Sequence, residues 1–256
     1  MARSASSPLR SLWRLIGCLL LSLLALQLFF FARIALMRVI DPQSTAFERS
    51  EAWRLVVETH RLPWAQEWAP GPRISDQLRR AVIASEDANF TEHNGVEWDA
   101  IRQAWAKNQK AQARAEAVAA RNPAGRAGKP PPAPKIIGGS TISQQLAKNL
   151  FLSGERSTLR KAQELVITLM LEALLGKDRL LTVYLNHVEW GEGVFGAQAA
   201  ARHYFRTDAA RLGPAQAARL AVMLPAPKRF EKMPGSAYVS GRTAVIVARM
   251  PAVDLP

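Results

Sequence analysis

One cysteine occurs in the 256 residues, so neither an intramolecular disulfide nor a thiolate metal cluster is possible. That residue, Cys18, lies inside the most apolar part of the chain and therefore carries no information about redox compartment. Histidines number four, and His60, His187 and His203 have no grouped ligand spacing, so a metal held by the protein alone is not expected. Glycine (15) and proline (16) are too few and too irregular for a collagen-like chain, while 48% hydrophobic residues exclude a mainly disordered one. Alternation of period two is nowhere sustained, which predicts a mostly helical domain without a central sheet. No zinc finger, aromatic-basic RNA signature or heptad basic region is present. Acid is the scarce charge: 21 Asp and Glu stand against 34 Lys and Arg, a formal net charge of +13.

The placement of that excess matters more than its size. Residues 1–38 hold five arginines and no acid, and their removal leaves 29 basic against 21 acidic side chains. Residues 121–135 hold four more positives and no acid, so the remaining body is only mildly basic. A footing beside anionic lipid headgroups accounts for this distribution better than nucleic acid does. Leu15 to Ala32 is 18 residues without a charge, and the apolar character resumes after Arg33 through Met37. Such a helix can cross a bilayer with Arg33 snorkelling to one headgroup layer. A cleaved signal peptide would need a shorter apolar region and small residues at a cleavage site; Phe29-Phe30-Phe31-Ala32-Arg33 stands there instead, which favours a retained anchor. Arg3, Arg10 and Arg14 before the segment nearly balance Arg33, Arg38 and Arg49 after it, so charge alone does not orient it. The domain reading is an anchor over 1–38 and a body over 39–256 with its core at about 70–230.

Within the body, Ser75-Asp76-Gln77 predicts a helix start, and the helix runs to about Asp87. Ala100 to Ala120 is a strong helix former that ends at Asn122-Pro123; residues 106–136 are expected to be a helix extension followed by a mobile basic loop, either a solvated linker or a lipid contact. Over Thr141 to Leu150, Ile142, Leu146 and Leu150 can face a core, with Thr141, Gln145 and Lys148 sharing another face. Ser157 can cap a long helix whose expected core stripe is Leu159, Ala162, Val166, Leu169, Met170 and Ala173, with Arg160 and Glu164 on a different side. Further helices are predicted over Asp178 to Leu185, Ala197 to Tyr204 and Pro214 to Leu224. Gly191, Gly193 and Gly196 mark tight backbone between them.

Several polar residues interrupt these amphipathic patterns. Glu86 and Asp87 close an otherwise apolar helix, followed by Phe90, His93 and Gly95. An acidic pair at a helix end is commonly just solvated. Here Gly138-Gly139-Ser140-Thr141 can bring backbone N–H groups to an anion at a helix start, and Gln145, Lys148, Arg160 and Lys161 add the donors a diphosphate requires. For Lys148 alone, a helix-surface lysine is an equal reading.

Taken in order, these segments resemble the motifs of the peptidoglycan glycosyltransferases, lysozyme-like enzymes that polymerise a lipid-linked disaccharide. The stretch from Glu86 through Gly95 is similar to the family's first motif, and Gly138 through Leu150 to its second. Arg160-Lys161-Ala162-Gln163-Glu164 with Leu171-Glu172 resembles the third, and Tyr184-Leu185-Asn186 with the three glycines and Tyr204-Phe205 the fourth. Ala217 to Pro225 is similar to the closing segment. An N-terminal anchor and the chain's length point to the monofunctional biosynthetic transglycosylases of Gram-negative bacteria rather than bifunctional penicillin-binding proteins.

The resemblance implies a mainly α, lysozyme-like domain behind one transmembrane helix. The substrate would be lipid II, joined into a β-1,4 glycan strand with inversion and release of polyprenyl diphosphate. Glu86 would be the general base, and Lys148 and Arg160 would hold the donor diphosphate, with Thr141, Gln145 and Lys161 lining the cleft. Glu164, the second catalytic candidate, would orient the basic residues or help bind a magnesium or manganese ion carried with the diphosphate; no tightly bound cofactor is implied. Asp87, Phe90 and His93 would organise the loop around Glu86. Partners would be lipid II, the growing strand, inner-membrane lipids and wall-synthesis or cell-division proteins, with the N-terminus cytoplasmic and the body periplasmic. Lytic hydrolysis with Glu86 and Glu164 as a carboxylate pair and an inactive membrane-anchored scaffold are the alternatives. Two departures from the family pattern are the long stretch from about Lys110 to Pro134 and Arg219 in an Ala- and Leu-rich helix.

Overall fold

The computed structural model describes residues 8–121, 139–152, 154–155 and 157–256. Helix α1, Pro8–Leu36, contains a 28-residue stretch, Leu9–Leu36, whose most apolar 18-residue window has mean hydropathy 2.5, long and apolar enough to cross a membrane. Its leucines are largely exposed, and only the C-terminal part meets the body, through Phe30, Ile34 and Met37. Arg179 fixes that end: its guanidinium donates to Met37 O (2.8 Å) and pairs with Asp41 (2.8 Å), a cation at a helix C-terminus.

Helix α2, Ala46–Thr59, escapes the sequence reading. It starts at a capping box in which Glu48 N donates to Thr45 Oγ1 (3.0 Å) and Thr45 N to Glu48 Oε2 (2.7 Å). Glu48 is fully buried, and its other oxygen takes Gln66 Nε2 (3.0 Å) and faces His187 Nδ1 (2.7 Å). Because the second ring nitrogen of His187 faces Pro42 O (3.1 Å), this histidine straps the chain after the anchor onto the body.

The body's helices follow as α3 (Asp76–Glu86), α4 (Trp98–Arg121), α5 (Ile142–Phe151), α6 (Thr158–Leu175), α7 (Lys177–His187), α8 (Ala197–Phe205), α9 (Pro214–Met223), α10 (Pro227–Glu231) and α11 (Ala237–Arg249). Ser75 and Ser157 cap α3 and α6 as predicted. Leu78, Ala81 and Val82 pack α3 against α9 and α11. Ile142, Leu146 and Leu150 bury α5 among α2, α6 and α7. Asn186 ties α7 to the chain before α3: its side chain accepts from Ala69 N (2.7 Å) and donates to Ala69 O (2.9 Å) and Thr182 O (2.8 Å).

Three expectations need correction. Most of the stripe predicted as the core face of α6 points outward: Leu159 is 81% exposed, Leu169 50%, and Ala162, Val166 and Ala173 are also exposed, while Met170 is partly buried against the core. The buried face is Glu164, Ile167, Thr168, Leu171 and Leu175, where Thr168 Oγ1 is satisfied by Glu164 O (2.7 Å). The outward stripe lies beside α1, whose Gln27 exchanges amide hydrogen bonds with Gln163 (3.0 and 3.1 Å). Second, a three-stranded sheet of order β1-β3-β2 joins Ala65–Gln66, Val194–Phe195 and Glu189–Gly191. Its strands are two or three residues long, too short to show alternation. Gly193 makes it possible, for at φ +71° a Cβ would lie 1.8 Å from Pro63 O. Third, helices continue past Leu224 as α10 and α11, and Arg219 serves them, donating to Pro234 O (2.8 Å) with its guanidinium over the Phe205 ring. Helix α4 runs to Arg121, in line with the helix expected over Ala100 to Ala120, and the basic stretch expected beyond it lies outside the described residues.

Candidate active site

Glu86 is the last residue of α3, where the helix built on Leu78, Ala81 and Val82 delivers a carboxylate to the edge of the core. Burial pushes its pKa up, with the neighbouring Asp87 charge in the same direction, and a hydrogen bond from Gln145 opposes them. Gln145 Nε2 donates to Glu86 Oε2 (2.9 Å), and Gln145 Oε1 accepts from Tyr184 OH (3.0 Å). The buried tyrosine, its own pKa raised by burial, thus fixes the amide in the orientation that presents a donor to Glu86.

Asp87 turns the other way. It is buried, its Oδ1 accepts from His93 Nε2 (2.8 Å), and its Oδ2 accepts from Ile142 N (3.0 Å) at the start of α5. His93 Nδ1 in turn accepts from Gly95 N (3.1 Å), which assigns the proton to Nε2. Phe90 is fully buried beneath Lys177, whose Nζ lies 4.5 Å from the ring centroid and donates to His93 O (2.5 Å) and Glu172 Oε1 (2.8 Å). Gly95 completes the loop at φ +85°, where a Cβ would meet Thr168 Cγ2 at 2.7 Å. Asp87, Phe90 and His93 therefore hold the segment after Glu86 against α5 and α6.

Thr141 belongs to the same scaffold and not to the cleft. It is buried, caps α5 by accepting from Gln144 N (3.2 Å), and donates to Gly95 O (2.7 Å). Ile142 N–H is given to Asp87 and Gln144 N–H to Thr141, so two of the backbone donors at this helix start are taken by the protein's own side chains.

The basic residues gather instead around a cleft of about 330 Å³, lined among others by Phe47, Ser140, Gln145, Lys148, Arg160 and Glu164. Lys161 also lines it. Glu164 is buried, accepting from Arg160 Nη1 (2.8 Å) and from Lys161 Nζ. One carboxylate thus aligns two cations one turn away on α6, and Lys148 stands across from them on α5. Lys148 is open to the cleft, while partial desolvation lowers its pKa; the charge of Glu164 opposes that shift and those of Arg160 and Lys161 add to it. Arg160 Nε is buried without a hydrogen-bond partner, a donor left over for something the protein does not supply. The arrangement is a buried carboxylate of raised pKa and a net positive cleft, joined by Gln145.

Gln145, Lys148, Arg160, Lys161 and Glu164 are therefore brought together as the sequence predicts. Phe47 and Tyr184 are additional. Tyr184 stood in a recognised motif without a role, and Phe47 lies inside Thr45-Ala46-Phe47-Glu48, a capping-box signature that marks the helix but not its view of the cleft.

A sequence model of the family described as Transglycosylase matches residues 56–117 and 133–251, leaving out most of the basic, Pro- and Gly-rich stretch. The biosynthetic peptidoglycan transglycosylase of Paraburkholderia xenovorans is 48% identical over 254 residues, covering 99% of this chain and 97% of the relative. That of Bordetella avium is 48% identical over 256 residues, covering 98% and 100%. That of Burkholderia multivorans is 52% identical over 233 residues, covering 91% and 86%. The chain belongs to the transglycosylase family, whose domain has the lysozyme-like glycosyltransferase fold.

Proposed function

We propose that the chain polymerises peptidoglycan glycan strands from lipid II, with Glu86 as general base. Its carboxylate takes the proton from the acceptor's 4-hydroxyl as that oxygen attacks the anomeric carbon of the donor. The bond to the diphosphate breaks on the opposite face, which inverts the centre and leaves a β-1,4 link. Lys148, Arg160 and Lys161 meet the charge that grows on the leaving diphosphate, so their attraction is greater in the transition state than in the ground state. Glu164 acts as a positioning residue, since both its oxygens are occupied by the two cations it aligns. The observation that carries this reading is the partnerless Arg160 Nε in a cleft already rich in positive charge.

Hydrolysis by a carboxylate pair fits less well. A glycosidase pair needs, beside its acid, a second carboxylate free to activate water or attack the sugar, and both oxygens of Glu164 are occupied by Arg160 and Lys161. A divalent ion fits poorly as a protein-held group. Asp87, His93 and Glu97 come within 4.8 Å of one another, but Asp87 spends both oxygens and His93 both nitrogens on the loop scaffold. Anchoring by α1, with the outward stripe of α6 beside it, keeps the cleft at the membrane where lipid II resides. Consumption of lipid II on the outer face of the inner membrane puts the body in the periplasm and the N-terminus in the cytoplasm. Incubation of detergent-purified protein with labelled lipid II tests the proposal: a polymer that a muramidase digests is expected, and its absence, or degradation of preformed glycan, refutes it.

A further inference from the structure

Helix α4 leaves the Glu86 loop with two tryptophans in water. Trp98 is 64% and Trp105 68% exposed, while Ala104 on the adjoining face is buried. Seven residues apart, the two indoles share one flank of the helix, separated by about 10 Å along its axis. Between them in sequence Asp99 and Arg102 form an ion pair and stay about three-quarters exposed. Burying an indole stabilises strongly, so a pair held out two turns apart beside an exposed ion pair suits a ligand with apolar faces and polar edges.

We propose that this flank of α4 is a track for the growing glycan strand, Trp98 and Trp105 stacking on sugar rings one disaccharide repeat apart. The inference rests on the polymerase reading above. A pyranose offers a face of C–H groups to an indole and a rim of hydroxyls to Arg102 and Asp99. The repeat of a β-1,4-linked disaccharide matches two helical turns of about 5 Å each, so successive units present the same face to successive tryptophans. The track is continuous with the cleft. Asn89 Nδ2, in the loop after Glu86, donates to Glu97 Oε1 (2.6 Å) just before α4. Gly139, next to the cleft residue Ser140, lies so close to α4 that a Cβ would stand 3.2 Å from Ala100 O.

Placement favours a strand over a bilayer. At its C-terminal end α5 meets the anchor, with Phe151 edge-on to Phe30 at 5.3 Å. The residues before its other end touch Ala100 and Ala104 of α4, about 15 Å away along the helix. The helix also carries exposed Lys107, Lys110 and Arg114, which suit a polymer bearing acidic stem peptides.

The test uses the full chain in detergent, with W98A, W105A and W98A/W105A compared with W53A, an exposed tryptophan on α2 remote from this flank. Strand length of the product is read on gels, and affinity for chitotetraose by isothermal titration calorimetry. The double variant is expected to shorten strands severalfold and to weaken chitotetraose binding at least tenfold. W98F/W105F, which keeps aromatic faces, should restore much of both, and W53A should change neither. Melting curves verify that each variant is folded. Unchanged strand length and chitotetraose affinity in W98A/W105A overturn the inference alone, as does loss of binding to anionic phospholipid vesicles with strand length preserved. Absence of polymer from the unaltered protein overturns the polymerase reading together with this one.

Discussion

Glu86→Gln separates chemistry from architecture. The substitution keeps a planar group of the same size at the end of α3, and its amide oxygen can still accept from Gln145 Nε2, now at 2.9 Å from Glu86 Oε2. The packing of Leu78, Ala81 and Val82 behind it is untouched, and a neutral group no longer resists burial. Stability should therefore change by less than about 1 kcal/mol. Turnover is another matter, because the amide cannot take a proton. Loss of a positioned general base removes about 10²–10⁴ in rate, equivalent to roughly 2.7–5.4 kcal/mol of barrier at 1.36 kcal/mol per tenfold. The assay is initial polymerisation rate against lipid II concentration, paired with the affinity of the purified variant for a non-hydrolysable donor analogue. The expected pattern is a collapsed kcat with analogue binding within a few-fold of the parent. A variant that retains more than a tenth of the parental kcat would remove Glu86 from the proton transfer and reopen the role of Glu164.

Other perturbations probe the remaining parts. The raised pKa of Glu86 puts the acid limb of kcat/KM above the ordinary carboxylate range, and the lowered pKa of Lys148 puts the alkaline limb below the ordinary lysine range; a profile flat across both would contradict these roles. Gln145→Leu removes the hydrogen bond that favours the charged carboxylate, so the acid limb should move further up, and a downward move would contradict the geometry. Arg160→Ala should lower kcat/KM by about 10²–10³, with Arg160→Lys recovering only part because an ammonium lacks the parallel donors of a guanidinium; full recovery would mean that charge alone suffices. Asn186→Ala leaves Ala69 N and O unpaired in the core and should cost about 2–4 kcal/mol. A calorimetric melt within 1–2 °C of the parent, where a fall of at least about 4 °C is expected, would show that Ala69 is satisfied another way.

The helices that the sequence announces are those with a capping residue and an apolar face toward the core. Ser75, Ser157 and Pro214 start α3, α6 and α9, and Ile142, Leu146 and Leu150 face inward on α5. Helix α2 has no such face: its buried residues include Glu48 and Glu51, and Trp53, Val56 and Val57 are exposed. Only its capping box was readable. The α6 face was misread for a related reason. Periodicity reports which residues share a side, but the rule that the apolar side faces protein fails next to a membrane helix. There the protein interior holds the polar site, and Glu164 is buried because Arg160 and Lys161 neutralise it.

The same limit governs the site. Residue types and spacing bring Glu86, Gln145, Lys148, Arg160 and Glu164 into one list, yet they do not say which charge answers which. Gly138 through Thr141 looked like an anion cradle because a helix start offers free N–H groups. Asp87 takes that position, fifty-five residues away in sequence, and its carboxylate accepts from Ile142 N and His93 in a buried setting. The positive end of α5 thus faces a buried carboxylate of the loop scaffold. The anion of the substrate must then be met by long side chains farther along the cleft. Lys148 lies two turns beyond Thr141 on α5, and Arg160 faces it from α6. That division sets Glu86 near one end of α5 and the basic side chains toward the other, with Gln145 between them touching Glu86 and lining the cleft. Under the proposed reading, a base on α3 and leaving-group residues on α5 and α6, held apart by the packing of these helices, suit attack from one face and departure from the other.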